Sequence, residues 1–216
     1  MTYVTFLLDK TNNWIEPYIE NFINTYKINK FNFKISFNHE KIKNNDIVFI
    51  LGYTKILDEC FLNYNKLNLV VHESNLPEGK GFSPIQWQIL NGQNEITFTL
   101  FEAKKELDSG DIFLQKDVSF SGYELFDEIR GIQGKKTIEL IQEFLNVYPM
   151  ISKKPQIGEE TVFKRRKLND DKLNIDKSIK EQFNHFRIAN NDEYPLWFEI
   201  DGNKYEVKIY KEDNEQ

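Results

Sequence analysis

Two hydrophobic periods alternate along the first half of the chain, and that alternation restricts it to an α/β fold. Residues 4–8 form a short apolar run ending at Asp9, the pattern of a buried strand. Asn12 and Asn13 then offer a cap, and Trp14, Ile15, Tyr18, Ile19, Phe22 and Ile23 recur at helical spacing. Phe31, Phe33, Ile35 and Phe37 alternate as a second strand, and residues 46–51 supply a third, closed by Gly52. Residues 56–64 read as helical, and residues 67–71 as a fourth strand that enters His72. Strands alternating with helices predict a Rossmann-like, mainly parallel sheet flanked by helices. Residues 84–90 then read as a helix with Pro84 in its first turn. Residues 96–102 and 112–118 read as strands, and 123–148 as a long amphipathic helix weakened by Gly131 and Gly134.

The pattern changes near residue 150. Residues 152–182 are polar and carry the basic run Lys164, Arg165, Arg166 and Lys167. Residues 195–210 alternate on both sides of Asp201-Gly202-Asn203, a hairpin signal with Asp-Gly as the turn. The expected organisation is a sheet domain over residues 1–150 and a small C-terminal arm, residues 151–216, containing a β-hairpin. With 216 residues, 40% of them hydrophobic, the chain can bury a sizeable core. A net charge of −6 repels phosphate backbones and argues against a large nucleic-acid footprint. Cys60 is the single cysteine, so no intramolecular disulfide forms, and its apolar surroundings predict that it packs inside. The first residues lack a basic region and a small-residue cleavage site, and no apolar run approaches the ~20 residues of a membrane helix. A cytoplasmic protein without a membrane partner is therefore expected. No Gly-x-Gly-x-x-Gly and no P-loop occurs, and the three His (39, 72 and 185) lack ligand spacing, so neither a dinucleotide nor a metal is expected.

The chemistry-bearing residues concentrate in two segments. His72 directly follows a strand, at the carboxyl edge where open α/β sheets hold ligands. Gly79 and Gly81 let the next loop approach a ligand closely. Asp108, with Gly110 and Asp111, lies between two predicted strands, so both segments are expected at one sheet edge. A His and an Asp can move a proton together. Spacing alone favours a satisfied structural His and a turn Asp over a catalytic pair.

The run His72, Ser74, Leu76, Pro77, Gly81 and Pro84 resembles a signature of folate-dependent formyltransferases. Thr97 and Thr99, followed by Leu107, Asp108, Gly110 and Asp111, resemble that family's second signature, and the separation of 36 residues between His72 and Asp108 fits it. The C-terminal residues Phe163, Arg165, Arg166, Phe186, Arg187, Tyr194 and Pro195 look most like the nucleotide-linked sugar N-formyltransferases of surface polysaccharide (lipopolysaccharide O-antigen) synthesis.

The resemblance implies a transferase that moves a formyl group from N10-formyltetrahydrofolate to the amine of a nucleotide-linked amino sugar, such as dTDP-4-amino-4,6-dideoxyglucose. His72 and Asp108 would be its catalytic pair. The folate would lie between Leu51, Gly52 and Tyr53 on one side and the Lys104–Asp108 loop, with Leu107, on the other. The family usually carries an Asn two residues before the His, as an oxyanion donor. Here that position is Val70, and losing one such donor costs about 3 kcal/mol. Asn75 is the nearest substitute, with Asn68 behind it. Lys80, Phe82, Arg165 and Arg187 are the expected acceptor contacts, with Trp87, Trp197 and Tyr194 as further aromatic surfaces. The hairpin aromatics Trp197, Phe198, Tyr205 and Tyr210 predict a homodimer contact. The alternatives are a glycinamide ribonucleotide or methionyl-tRNA formyltransferase, or a non-catalytic nucleotide-sugar-binding member, which Val70 supports. The acidic charge and the lack of a large basic C-terminal domain count against tRNA.

Overall fold

Continuous apolar runs become strands buried on both faces. A computed structural model describes residues 1–212. β1 (Thr2–Leu8) has every residue from Val4 to Leu8 buried, and β3 (Ile47–Leu51) is buried throughout. Around them lie α1 (Glu16–Thr25), β2 (Phe31–Ser36), α2 (Glu59–Tyr64) and β4 (Asn68–His72). Next come β5 (Lys80–Gly81), α3 (Pro84–Leu90), β6 (Glu95–Glu102), β7 (Ile112–Ser119) and α4 (Phe126–Val147). The six long strands form one sheet in the order β2-β1-β3-β4-β6-β7. β2, β1, β3 and β4 run parallel, whereas β6 and β7 are antiparallel to their neighbours. The parallel half follows the strand–helix alternation, and the antiparallel edge arises where one turn joins β6 directly to β7.

One face of the sheet is sealed by α1 and α4. Phe6 stacks on Phe49 at 5.5 Å, and Phe49 meets Phe144 of α4 edge-on at 5.9 Å. Gly134, expected to weaken α4, instead sets its packing distance: a Cβ there would lie 2.7 Å from the Tyr18 ring of α1. α2 starts later than expected, at Glu59, because the Asp58 carboxylate accepts the Phe61 N–H at 2.8 Å and fixes the first turn. Phe61 then faces the core, and Cys60, its neighbour on the helix, is exposed rather than packed as expected.

The C-terminal residues lace across this sheet. Lys154 bridges to Ile112, and β8 (Val162–Phe163) pairs in parallel with β5. α5 (Phe183–Arg187) precedes the hairpin β9 (Leu196–Ile200) and β10 (Asn203–Val207), with Asp201 and Gly202 both at positive φ in its turn. Leu173, Phe186, Ala189 and Leu196 make a small core of their own. Trp197 is 7% exposed, and its indole N–H donates to the Leu168 carbonyl. No described helix is long and apolar enough to cross a membrane.

Arg187, expected at the acceptor, is 1% exposed and acts instead as a tether between α5 and the sheet layer. It donates to Asn94 at 2.9 Å and Asn184 at 3.1 Å, and pairs with Glu124 at 3.4 Å. Burial pushes the Glu124 carboxyl up, but the hydroxyl and amide of Ser121 and the Gly122 amide outweigh it and hold it at about 2. Removing one partner of such a pair leaves a buried charge, so Arg187→Met should cost about 3–5 kcal/mol in denaturant unfolding. Folded Glu124 binds fewer protons than the unfolded group near ~4.3. Its contribution is therefore complete above that value and is lost as pH falls through about 2. Glu124→Gln should flatten the stability profile across this window. At Gly81, φ is +100° and a Cβ would run into the Phe163 carbonyl. Gly81→Ala should destabilise the fold by about 1–3 kcal/mol or more, read in the same unfolding measurement.

Candidate active site

β4 delivers His72 as its last residue, with the side chain only 8% exposed. Its Nε2–H donates to the Gly79 carbonyl at 2.8 Å. A carbonyl can only accept, so this bond places a proton on Nε2 and leaves Nδ1 free for chemistry. Nδ1 faces the Asp108 carboxylate, with Oδ2 at 3.9 Å. That distance is beyond a direct hydrogen bond but within reach of a single bridging water. Phe101 lies edge-on to the imidazole at 6.5 Å and closes its apolar side.

Asp108 arrives from an unexpected direction. Glu102 pairs with Leu69 and Thr99 with His72, so the β6–β7 turn leaves the sheet at the amino end of β4. The turn doubles back to bring Asp108 to the imidazole, rather than meeting it at a shared carboxyl edge. Asp108 has φ +47°, a left-handed conformation that Asp tolerates. Its Oδ2 accepts the Gly81 N–H at 2.8 Å, and Gln156 Nε2 donates to the carbonyls of Asp108 and Gly110 at 2.8 and 2.9 Å.

Gly79 and Gly81 make room for protein rather than for a ligand. A Cβ on Gly79 would sit 2.8 Å from the Phe163 ring and 2.9 Å from Ser74. The Gly79 N–H donates to Thr161 Oγ1 at 2.7 Å, and the Lys80 and Phe82 amides donate to the Thr161 and Phe163 carbonyls. The C-terminal segment thus grips the loop that holds both His72 and Asp108. Gln156 and Thr161 were not expected here, because the stretch 152–182 carries no hydrophobic period to flag them; Phe163 entered only through the resemblance of the C-terminal residues.

The Asn position of the resembling family is apolar in fact as well as in name. Val70 pairs with Phe101 and packs toward Leu76 and Ile112. Asn68 donates to the Leu62 carbonyl. Asn75 is exposed, and its Oδ1 accepts from Gln115 Nε2 at 3.0 Å. Gln115 is two strands away from His72, in the same row as Thr99. Asn75 is therefore anchored to β7 through its Oδ1 rather than to His72 or Asp108.

The expected folate contacts divide into two groups. Leu51 is buried in the core and offers only backbone. Gly52 is left-handed at φ +60°, and its carbonyl accepts from Asn12 at 2.9 Å. The Tyr53 hydroxyl meets His39 Nδ1 at 2.7 Å, and burial raises its phenol above the ordinary range. Asp9 anchors this turn: the Thr54 hydroxyl, with help from Thr11 and against burial, holds its carboxyl well below the usual carboxylate range. Lys104 lines a separate cavity of about 430 Å³, walled by α2 and the turn after β6, which neither Gly52 nor Tyr53 reaches. Leu107, beside Asp108, is 53% exposed.

Of the expected acceptor contacts, two remain at the surface. Phe82 and Arg165 are exposed and stacked, with the guanidinium 4.4 Å from the ring centre. Lys80 is corrected: it is 5% exposed, and its ammonium is paired with Glu160. Trp87 is half-buried, and its indole N–H donates to the Lys164 carbonyl.

Residues 30–125 match the family model described as Formyl transferase. A methionyl-tRNA formyltransferase of Sulfurihydrogenibium sp. (strain YO3AOP1) is 32% identical over 170 residues, which cover 70% of this chain and 54% of that protein. The chain thus spans about half the length of that curated relative. Among solved structures, a methionyl-tRNA formyltransferase from Clostridium thermocellum superposes with a TM-score of 0.83 at 21% identity, covering 100% of this chain and 95% of that one. A sugar N-formyltransferase from Shewanella sp FDAARGOS_354 superposes with a TM-score of 0.74 at 17% identity, covering 98% of each chain. Through residues 30–125 the chain belongs to the formyl transferase family, and the Rossmann-like fold it builds is the one these formyltransferases share.

Proposed function

We propose that this protein transfers a formyl group from N10-formyltetrahydrofolate to an amine, with His72 and Asp108 as the catalytic pair. The observation that carries this reading is the imidazole itself. One nitrogen is committed to the Gly79 carbonyl, and the other faces a carboxylate at 3.9 Å in a nearly closed site. A neutral amine attacks the formyl carbon, a C–N bond forms, and the carbonyl oxygen gains negative charge. His72 Nδ1 takes the proton the amine must lose, and Asp108 stabilises the resulting imidazolium. The oxyanion reforms the carbonyl, the bond to the folate nitrogen breaks, and that nitrogen leaves with the proton handed back by His72 Nδ1. The site residues fit the donor. Exposed Leu107 offers an apolar contact beside Asp108, and the turn at Gly52 offers backbone groups. Asn75 Nδ2 is the donor we assign to the oxyanion, in place of the Asn absent at Val70.

For the acceptor we read a nucleotide-linked amino sugar. Phe82 with Arg165 presents a flat aromatic and a guanidinium stacked on it, next to the loop of His72 and Asp108, a pairing for a base and a diphosphate. The net charge of −6 opposes a polynucleotide. A second reading, methionyl-tRNA, is favoured by the name of the Sulfurihydrogenibium relative.

The test mixes the protein with N10-formyltetrahydrofolate and either dTDP-4-amino-4,6-dideoxyglucose or methionyl-tRNA, and follows release of tetrahydrofolate. Release with the sugar alone is expected. Release with the tRNA alone overturns the acceptor class, and saturable binding without release from either favours the non-catalytic reading. His72→Ala should lower kcat by ~10²–10⁴-fold. Full turnover by that variant removes the assignment of the pair.

A further inference from the structure

The turn that carries Asp108 lies outside any strand or helix, yet it must keep residue 108 in a left-handed conformation at φ +47°. One side of the turn is pressed against β6, where a Cβ on Gly110 would overlap the Glu102 carbonyl. The other side is held by Gln156. Its single Nε2 donates to two carbonyls of the turn, those of Asp108 and Gly110, at 2.8 and 2.9 Å. A neutral amide serves both without adding a charge that would compete for the Asp108 carboxylate. Gln156 Oε1 is buried and has no hydrogen-bond partner among the described residues. An orphaned acceptor is a cost, so the turn's demand for two donors determines how the amide points. The carboxylate of Asp108 is in turn aimed by the Gly81 N–H at 2.8 Å. The turn backbone is thus fixed from the C-terminal segment, and the side chain from the loop that also holds His72.

We propose that Gln156 is a positioning residue for Asp108: it clamps the left-handed turn so that the carboxylate faces Nδ1 of His72. This rests on the formyl-transfer reading of the pair for its purpose, though not for its geometry. The test is nitrogen NMR of the imidazoles, of which the chain has three, in wild type, Asp108→Asn, Gln156→Ala and Gln156→Glu. Gln156→Glu keeps the shape but, when ionised, cannot donate. The His72 nitrogen resonances should move in both Gln156 variants toward their positions in Asp108→Asn, while kcat falls ~10–100-fold, the scale of a small misplacement. Resonances at wild-type positions in both Gln156 variants overturn the proposal, as does an Asp108→Asn spectrum identical to wild type. If the resonances move but wild type forms no product with any amine, the clamp stands and only the formyl-transfer reading falls.

Discussion

The hydrogen bond from His72 Nε2 to the Gly79 carbonyl is the constraint on which the site depends. It chooses the tautomer, turns Nδ1 toward Asp108 and requires the loop from Glu73 to Gly81 to return to the end of β4. The loop can do so only because its glycines leave space for Phe163 and its amides find Thr161 and Phe163. Substituting a bulkier residue in that loop would disturb the imidazole without touching it.

Much of the scaffold was legible in the sequence. The apolar runs became β1 and β3, the segment 84–90 became α3, and Asp201-Gly202 became the hairpin turn. Local periodicity carries such information because burial on one face or both sets the spacing of apolar residues. The pairing of His72 with Asp108 was anticipated through a resemblance, since spacing alone favoured a structural His and a turn Asp. The direction of approach was not anticipated, because it depends on the register of β6 against β4.

The misread charges share one cause. Lys80 and Arg187 looked like ligand-binding charges, and both are buried against partners far along the chain, Glu160 and Glu124. Charge burial needs a specific partner, and pairing at such separations leaves no local period. The same blindness hid Gln156 and turned the meaning of Gly79, Gly81 and Gly134 around. Each is small because another part of the protein comes close, whether Phe163 or the Tyr18 ring.

The pairing of β5 with β8 also has a consequence in time. Thr161 binds Gly79 across 82 residues of chain, so a ribosome delivers His72 and Asp108 well before the segment that grips their loops. Closing so long a loop carries an entropic cost that comes due before the contact forms. The loop that orients the imidazole is therefore completed by residues made long after it, and its geometry belongs to the tertiary fold rather than to the local sequence.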